Sequence, residues 1–187
     1  MEKDMLLHMK NIDKVYPGVK ALNKVEFKVR KGSVHALMGE NGAGKSTLIK
    51  VLTGVVSMDS GQVILDGKEV KIQSPADANR LGISSVYQEL DLIPELSIAE
   101  NIFLGREKRK WGLIDWKETE KAAKEILTSM GIKVNVGDLL SSKSTAIQQM
   151  VSIARAISIN AKLVVLDEPT SSLDSSEVQI LFGVIRD

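Results

Sequence analysis

The chain has 187 residues, 43% of them apolar and 26% charged, which is enough apolar material for one folded domain with a sizeable core. The 25 Lys and Arg residues nearly balance the 24 Asp and Glu residues, and a net charge of +1 gives no reason to expect a nucleic-acid surface. The lack of cysteine excludes disulfides, thiolate catalysis and zinc–sulfur sites. No run approaches the roughly 18 apolar residues that span a bilayer, and the N-terminus lacks the apolar core of a signal peptide, so a cytosolic location is expected.

Strand and turn signals alternate in the first part of the chain. Residues 6–16 mix apolar and polar side chains and stop at a Pro-Gly pair, which predicts a strand. Strict alternation over residues 25–29 predicts a second strand with one buried face. A short apolar run at residues 33–38 predicts a third strand, which leads into a glycine-rich segment.

Helix and hairpin signals follow. Apolar spacing over residues 48–52 predicts a helix closed by Gly54. Residues 62–72 predict a hairpin with an Asp-Gly turn, and Ser74 before proline predicts the N-cap of a short helix. Residues 83–87 again favour a strand.

The second part of the chain is mostly helical. Capping-box spacing at residues 97–100, 115–118 and 174–177 predicts three helix starts. Between the last two of these, the continuous apolar run at residues 161–166 predicts a strand that is buried on both faces.

A glycine-rich segment fits the pattern G-x4-G-K-[ST]. Glycines allow successive backbone N–H groups to point inward at phosphate oxygens, and the following helix adds its positive end. Lys45 would reach the β- and γ-phosphates, and the Ser46 hydroxyl would ligate Mg²⁺. The predicted phosphate-binding residues are Gly39, Glu40, Asn41, Gly42, Ala43, Gly44, Lys45, Ser46 and Thr47.

Polar side chains also follow two predicted strands. Asp167 and Glu168 end the apolar run, where Asp167 would hold Mg²⁺ and Glu168 would orient or deprotonate an attacking water. A strand that simply ends in a polar turn before Pro169 is the alternative. Gln88 follows another strand, and its amide could contact Mg²⁺ or the lytic water, although an ordinary loop residue is the alternative. The predicted catalytic residues are therefore Lys45, Gln88 and Glu168.

These motifs occur in the order and spacing of an ATP-binding cassette (ABC) ATPase, which the chain resembles over nearly its whole length. The further stretches 16–22, 35–41, 86–90 and 149–151 resemble the first cassette of tandem-cassette bacterial sugar importers of the galactose, ribose and xylose type. The resemblance implies an α/β fold: a P-loop NTPase (RecA-like) core with an antiparallel N-terminal β subdomain, an inserted α-helical subdomain, and the C-terminal part of the core missing.

The resemblance also assigns domains and further roles. Residues 1–88 and 159–187 correspond to the nucleotide-binding core, and residues 89–158 to the helical subdomain that presses on membrane subunits. Tyr16 matches the aromatic residue that stacks on adenine, with an ordinary strand-end tyrosine as the alternative.

The family's signature motif falls at residues 143–148, where Lys-Ser-Thr-Ala-Ile-Gln fits the usual Leu-Ser-Gly-Gly-Gln poorly. Ser144 is kept and would N-cap a helix pointing at the γ-phosphate bound by a partner cassette. Lys143 in the leucine position is a further departure.

A histidine that contacts the γ-phosphate lies beyond Asp174 in the family, on a strand between the one feeding the phosphate loop and the one carrying Asp167. The only histidines here, His8 and His35, precede the loop and are expected to be core or face residues of strands. The expectation is a fragment that alone binds nucleotide weakly and hydrolyses it slowly or not at all.

The favoured interpretation is the ATP-hydrolysing translocase subunit of a sugar importer, using ATP and Mg²⁺ on the inner face of the cell membrane. Its expected partners are a second cassette, transmembrane permease subunits and, indirectly, a periplasmic sugar-binding protein, with no nucleic acid. The alternatives are a non-catalytic nucleotide-binding fragment and a cytosolic ABC-type ATPase acting on nucleic acid. The one basic cluster, residues 106–110, is predicted to be a solvated loop.

Overall fold

The computed structural model describes residues 4–86, 92–167, 169–170 and 173–186. The chain divides into two compact units, residues 1–83 and 84–187. Within the described ranges, no helix combines the length and the apolar character that a membrane crossing requires.

The first unit contains a four-stranded antiparallel sheet in the order β2-β1-β3-β4. Burial alternates over residues 25–29 of β2, as predicted from the sequence, whereas β1 buries Leu6 and Leu7 in succession. The strands are β1 (Met5–Tyr16), β2 (Val19–Arg30), β3 (Ser60–Leu65) and β4 (Lys68–Val70). The expected antiparallel N-terminal β subdomain is therefore confirmed.

The turn between β3 and β4 is a two-residue loop in which Asp66 and Gly67 have φ of 51° and 78°. Positive φ at both positions defines a type I′ turn, whose twist matches the flanking strands. The predicted Asp-Gly hairpin is thus confirmed, but its second strand is Lys68–Val70 and not residues 70–72. Ile72 lies beyond the strand and is nevertheless buried, which explains why its apolar character resembled a strand signal.

Two helices complete the first unit. Helix α1 (Lys45–Leu52) buries Leu48, Val51 and Leu52 and ends before Gly54, whose φ is 73°. Helix α2 (Pro75–Arg80) has Ser74 as its N-cap, because the Ser74 hydroxyl accepts a hydrogen bond from the Asp77 amide. The end of α1 before Gly54 and the start of α2 at Ser74 follow the sequence prediction.

The strand predicted over residues 33–38 is wrong. The segment has no regular secondary structure, and Val34 and Met38 are 72% and 87% exposed. A strand requires a hydrogen-bonded neighbour, and no described strand pairs with this segment. His35, expected on a strand, is instead an exposed residue whose ring meets Phe27 edge-on at 5.1 Å.

The second unit packs its helices around a common apolar core. They are α3 (Ile98–Phe103), α4 (Trp116–Ser129), α5 (Thr145–Ser158) and α6 (Ser175–Arg186). The fully buried side chains include Ile98, Ile102, Leu127, Val151 and Leu181. Helix α4 buries a single face, whereas α5 is buried nearly all round from Gln149 to Ala154, so α5 is the central helix of this core.

Two predicted capping boxes form completely. Ser97 and Glu100 exchange hydrogen bonds of 2.8 and 3.2 Å at the start of α3. Asp174 and Glu177 do the same at 3.0 and 2.9 Å before α6. At α4 the Asp115 carboxylate accepts a hydrogen bond from the Glu118 amide at 3.0 Å.

Strand β5 (Ile83–Val86) pairs with β8 (Leu163–Leu166) in a two-stranded sheet. The expectation that residues 161–166 are buried on both faces is wrong, because Val164 is 37% exposed and its strand neighbours are only half-buried. Burial of a strand on both faces requires elements packed on both sides of its sheet, and an apolar sequence alone does not supply them.

A short hairpin was not predicted. Strands β6 (Arg109–Lys110) and β7 (Leu113–Ile114) pair in antiparallel fashion ahead of α4. Half of the basic cluster that was expected to be a solvated loop is thus part of a small sheet.

Candidate functional site

The side chain of Lys45 is held over the phosphate loop by the loop itself. Its ammonium group donates hydrogen bonds to the Gly39 carbonyl at 2.6 Å and to the Glu40 carbonyl at 2.8 Å. Carbonyl oxygens are weaker partners for an ammonium group than phosphate oxygens, because only the latter carry charge. The lysine therefore lies where an anion bound in the loop could replace these carbonyls.

The start of α1 leaves backbone donors available. Gly44 is the N-cap of α1 with φ of 89° and forms no side-chain cap. The amides of the first turn of a helix have no partner inside the helix, and they lie at its positive end. The start of α1 thus offers both the backbone N–H donors and the positive electrostatic potential that bind phosphate.

Glycine is required at position 44 by a close approach. A Cβ there would lie 2.6 Å from the Ala21 carbonyl oxygen and 3.0 Å from the Leu22 side chain. Strand β2 therefore packs directly against the loop and fixes its path. A Cβ at Gly42, by contrast, would meet no heavy atom within 4 Å, although φ is 85°.

Polar side chains lie on either side of Lys45. The Ala43 amide donates to the Glu40 carbonyl at 3.2 Å, which closes a turn and leaves Asn41 and Gly42 exposed at the tip. Ser46 is exposed at the second position of α1, and its neighbour Thr47 is half-buried. The predicted phosphate-loop residues are thus together in one loop and helix start.

Tyr16 ends β1 next to the turn into β2, the strand against which the phosphate loop packs. Its ring is 36% exposed, and the Lys14 ammonium lies 5.7 Å from the ring centroid. Lys14 is itself paired with Asp59 at 2.8 Å, and this hydrogen bond lowers the pKa of the Asp59 carboxyl. An exposed ring braced on one side by a cation can serve as a stacking surface.

The second unit carries the remaining described candidates. Asp167 follows β8 and is half-buried. Ser144 is the N-cap of α5, and its hydroxyl accepts a hydrogen bond from the Ile147 amide at 3.4 Å. Gln88 and Glu168 lie outside the described residues.

The signature segment contains contacts that the sequence did not predict. The Lys143 ammonium lies 2.5 Å from the Asp138 carboxylate, and Asn135 donates to the same carboxylate at 2.7 Å. The Gln148 amide donates to the Lys143 carbonyl at 3.0 Å. Both the ammonium group and the backbone carbonyl of Lys143 therefore have partners within the second unit.

The described residues contain no group of three or more His, Asp or Glu side chains able to hold a metal ion. Magnesium in phosphate-transfer sites needs no such cluster, because it takes one or two protein oxygens together with phosphate oxygens and water. The Ser46 hydroxyl and the Asp167 carboxylate are donors of the required type.

Sequence comparison places the chain among known proteins. A family model described as "ABC transporter" matches residues 22–171. The galactofuranose transporter ATP-binding protein YtfR of Escherichia coli K12 is 49% identical over 97% of this chain. The ribose import ATP-binding protein RbsA 1 of Streptomyces avermitilis is 49% identical over 98%, and the fructose import ATP-binding protein FruK of Bifidobacterium longum 51% over 99%. The chain spans only 35–36% of the length of these relatives.

Solved structures show the same fold. A nucleotide-free ATP-binding cassette from an ABC transporter superposes with a TM-score of 0.84 at 29% identity, over 97% of this chain and 76% of the other. The dimeric structure of MJ0796, a bacterial ABC transporter cassette, superposes with a TM-score of 0.78 at 25% identity, over 96% and 81%. The fold is that of a P-loop cassette ATPase. The chain belongs to the ABC transporter family.

Proposed function

We propose that this chain is the nucleotide-binding part of an ABC importer for sugars, coupling the binding and hydrolysis of MgATP to transport. The observation that carries the proposal is the phosphate loop, in which Lys45 and the uncapped start of α1 face the same ligand position. Sugar import is supported by the relatives, which are named for galactofuranose, ribose and fructose. Because these three are 49–51% identical to the chain, the similarity favours no one sugar.

The residue roles form part of the proposal. Lys45 and the amides of residues 42–47 would bind the β- and γ-phosphates, while Tyr16 would stack on adenine. Ser46, Asp167 and Gln88 would provide oxygen ligands to Mg²⁺. Bound Mg²⁺ supplies charge neutralisation at the phosphates.

The water that attacks the γ-phosphate needs a base. Glu168 would orient or deprotonate it, with Gln88 as a further contact. Ser144 would point the amides at the start of α5 toward the nucleotide of a second cassette. The hydroxyl's hydrogen bond to the Ile147 amide supports this orientation of the helix start.

The proposed domains follow the family pattern. Residues 1–88 and 159–187 would form the nucleotide-binding core, and residues 89–158 the helical subdomain that contacts membrane permeases. The apolar core that α3, α4 and α5 share supports a helical block in this part of the chain, and the same core also takes in Leu181 of α6. The proposed partners are a second cassette, the permease subunits and, indirectly, a periplasmic sugar-binding protein, at the inner face of the membrane.

Equilibrium binding of MgATP, followed by calorimetry, tests the phosphate loop. Lys45→Ala removes a charge-assisted contact and is expected to weaken binding at least about tenfold, since such bonds contribute roughly 1.5–3 kcal/mol. Lys50→Ala is the matched control, because Lys50 is an exposed lysine in the last turn of the same helix. Equal affinity of the Lys45→Ala variant and the native chain would contradict the proposal.

ATP turnover and co-purification with partners test the proposed hydrolysis and transport roles. Any ATP turnover by the chain is expected to be lost in Lys45→Ala, and turnover that survives this substitution would contradict the proposed site. Co-purification with an integral membrane permease supports the transport role. A salt-sensitive shift of a nucleic acid would instead favour the alternative of an ATPase that acts on nucleic acid.

A further inference from the structure

The hairpin of β6 and β7 presents an exposed aromatic tip. Trp111, in the turn, is 92% exposed, and Leu113, the first residue of β7, is 76% exposed. Exposed apolar side chains that lie next to one another mark contact sites on protein surfaces, whereas isolated ones are common. The chain has two tryptophans, and the second, Trp116, starts α4 directly after the hairpin and is 46% exposed.

The backbone of the tip is one that tryptophan rarely adopts. Trp111 and Gly112 have φ of 59° and 84°, which makes a two-residue type I′ turn. Asparagine is the residue that this first position favours, and a bulky side chain there is strained. A strained aromatic residue without burial indicates a function for its side chain and not for the stability of the turn.

Basic residues stand behind the tip. Lys110 pairs with Leu113, and Arg109 with Ile114, so each face of the hairpin carries one cation and one aliphatic side chain. Neither Arg109 nor Lys110 forms a salt bridge within the described ranges of the chain. Over residues 106–117 there are five basic and two acidic side chains, against a net charge of +1 for the whole chain.

The base of the hairpin is fixed to α4. The Asp115 amide donates to the Lys108 carbonyl at 2.7 Å, and the Lys108 amide donates to the buried Thr119 hydroxyl at 3.0 Å. The neighbouring cations are engaged: Arg106 donates to Ser158 and the Ile102 carbonyl, and Lys108 lies over the Phe103 ring. The base of the hairpin is thus fixed by hydrogen bonds, whereas its tip at Trp111 is exposed.

We propose that this hairpin docks on an anionic lipid surface, with Trp111 and Leu113 entering the headgroup boundary and Arg109 and Lys110 contacting lipid phosphates. The dimensions fit, because a strand rises about 3.3 Å per residue and Arg109 therefore lies roughly 7 Å behind the tip. Interfacial protein segments bury their apolar side chains about 5–10 Å into that boundary. The exposed aliphatic residues beside the tryptophan favour lipid over nucleic acid, whose bases would use the ring alone.

The test is binding of the purified chain to vesicles, without nucleotide, so that failure leaves the phosphate-loop proposal untouched. Vesicles of phosphatidylcholine are compared with an equal mixture of phosphatidylcholine and phosphatidylglycerol. Co-flotation measures binding, and Trp116→Phe leaves Trp111 as the only tryptophan, whose emission reports directly on the tip. The expected result is flotation with the anionic vesicles only, together with a blue shift of the Trp111 emission.

Variants separate the two parts of the proposal. Trp111→Asn suits the turn and so should preserve folding, and it is expected to weaken vesicle binding about tenfold, as does Leu113→Ser. Arg109→Glu with Lys110→Glu should abolish binding, since each surface cation contributes roughly fivefold. Lys68→Glu with Lys71→Glu is the matched control, because both lysines are exposed in the other unit, and it should retain most of the binding.

Several results would overturn the proposal. These are absence of flotation with anionic vesicles, a vesicle affinity of Trp111→Asn equal to that of the native chain, and equal flotation with both vesicle types. Displacement of the chain from vesicles by transfer RNA, with tighter binding of the RNA through the same cations, would assign the hairpin to nucleic acid instead.

Discussion

The ammonium group of Lys143 lies 2.5 Å from the carboxylate of Asp138, so the residue that we propose at the leucine position of the family's signature motif is held in an ion pair. Ser144, the next residue, caps α5. The loop before this helix is therefore positioned by charge, at a place where the family pattern has an apolar leucine. Lys143 thus has a specific partner at this position in the Asp138 carboxylate.

This ion pair gives a pH-dependent prediction. The hydrogen bond from Lys143 lowers the pKa of the Asp138 carboxyl below its usual value. A lowered pKa in the folded state adds stability above the unfolded-state pKa, near about 3.9, and this is lost as the pH falls through the folded value. Asp138→Asn should therefore unfold at lower denaturant than the native chain at pH 6, whereas the two should converge as the pH falls below about 4. Equal midpoints at pH 6 would exclude a stabilising pair.

Gly44 and Gly42 should respond differently to alanine. Both have positive φ, which costs about 1 kcal/mol for a residue with a Cβ. Only at Gly44 does the added Cβ meet the Ala21 carbonyl, so Gly44→Ala should lose about 1–3 kcal/mol more stability and weaken nucleotide binding. Urea unfolding of both variants measures the difference. Equal losses would mean that β2 does not constrain the loop.

Asn101 is expected to stabilise the second unit from within. It is fully buried, and its side chain accepts from the Ile93 amide at 2.8 Å and donates to the Ile93 carbonyl at 2.9 Å and the Ser97 carbonyl at 3.0 Å. Asn101→Ala leaves the Ile93 amide without a partner, whereas the Ile93 and Ser97 carbonyls keep the backbone amides of Leu96 and Asn101 as donors. The substitution should therefore cost about 1–3 kcal/mol in the free energy of unfolding. The exposed Asn23 is the control, and Asn23→Ala should change stability by less than about 0.5 kcal/mol.

Substitutions at Tyr16 distinguish a stacking residue from an ordinary strand end. Tyr16→Phe keeps the ring and should bind MgATP like the native chain, whereas Tyr16→Ala should bind about tenfold more weakly, since aromatic stacking contributes roughly 0.5–1.5 kcal/mol. Binding of inorganic triphosphate should be the same in all three proteins. Equal ATP affinity of the alanine variant would leave Tyr16 as a strand residue without a role in binding.

What the sequence predicted well is local. The capping boxes at Ser97 and Asp174 and the turn at Asp66 depend on residues within four positions of one another, and all three form. The phosphate loop belongs to the same class, because its glycines, lysine and helix start are contiguous.

What failed depends on neighbours distant along the chain. Residues 33–38 and 163–166 are apolar enough for buried strands, but strand formation and burial require partners that apolar character alone does not identify. The hairpin at Trp111 was missed because two-residue strands show no periodicity. The partner of Lys143 was missed because ion pairing across a loop has no sequence pattern.

Lys45 already rests on two oxygens of its own loop before any ligand arrives. The long aliphatic arm of a lysine is costly to immobilise, and most of that ordering is here complete in advance. When a triphosphate binds, phosphate oxygens replace the two carbonyl oxygens around an ammonium group that does not move. The loss of side-chain entropy on binding is therefore small, and binding needs no rearrangement of this side chain.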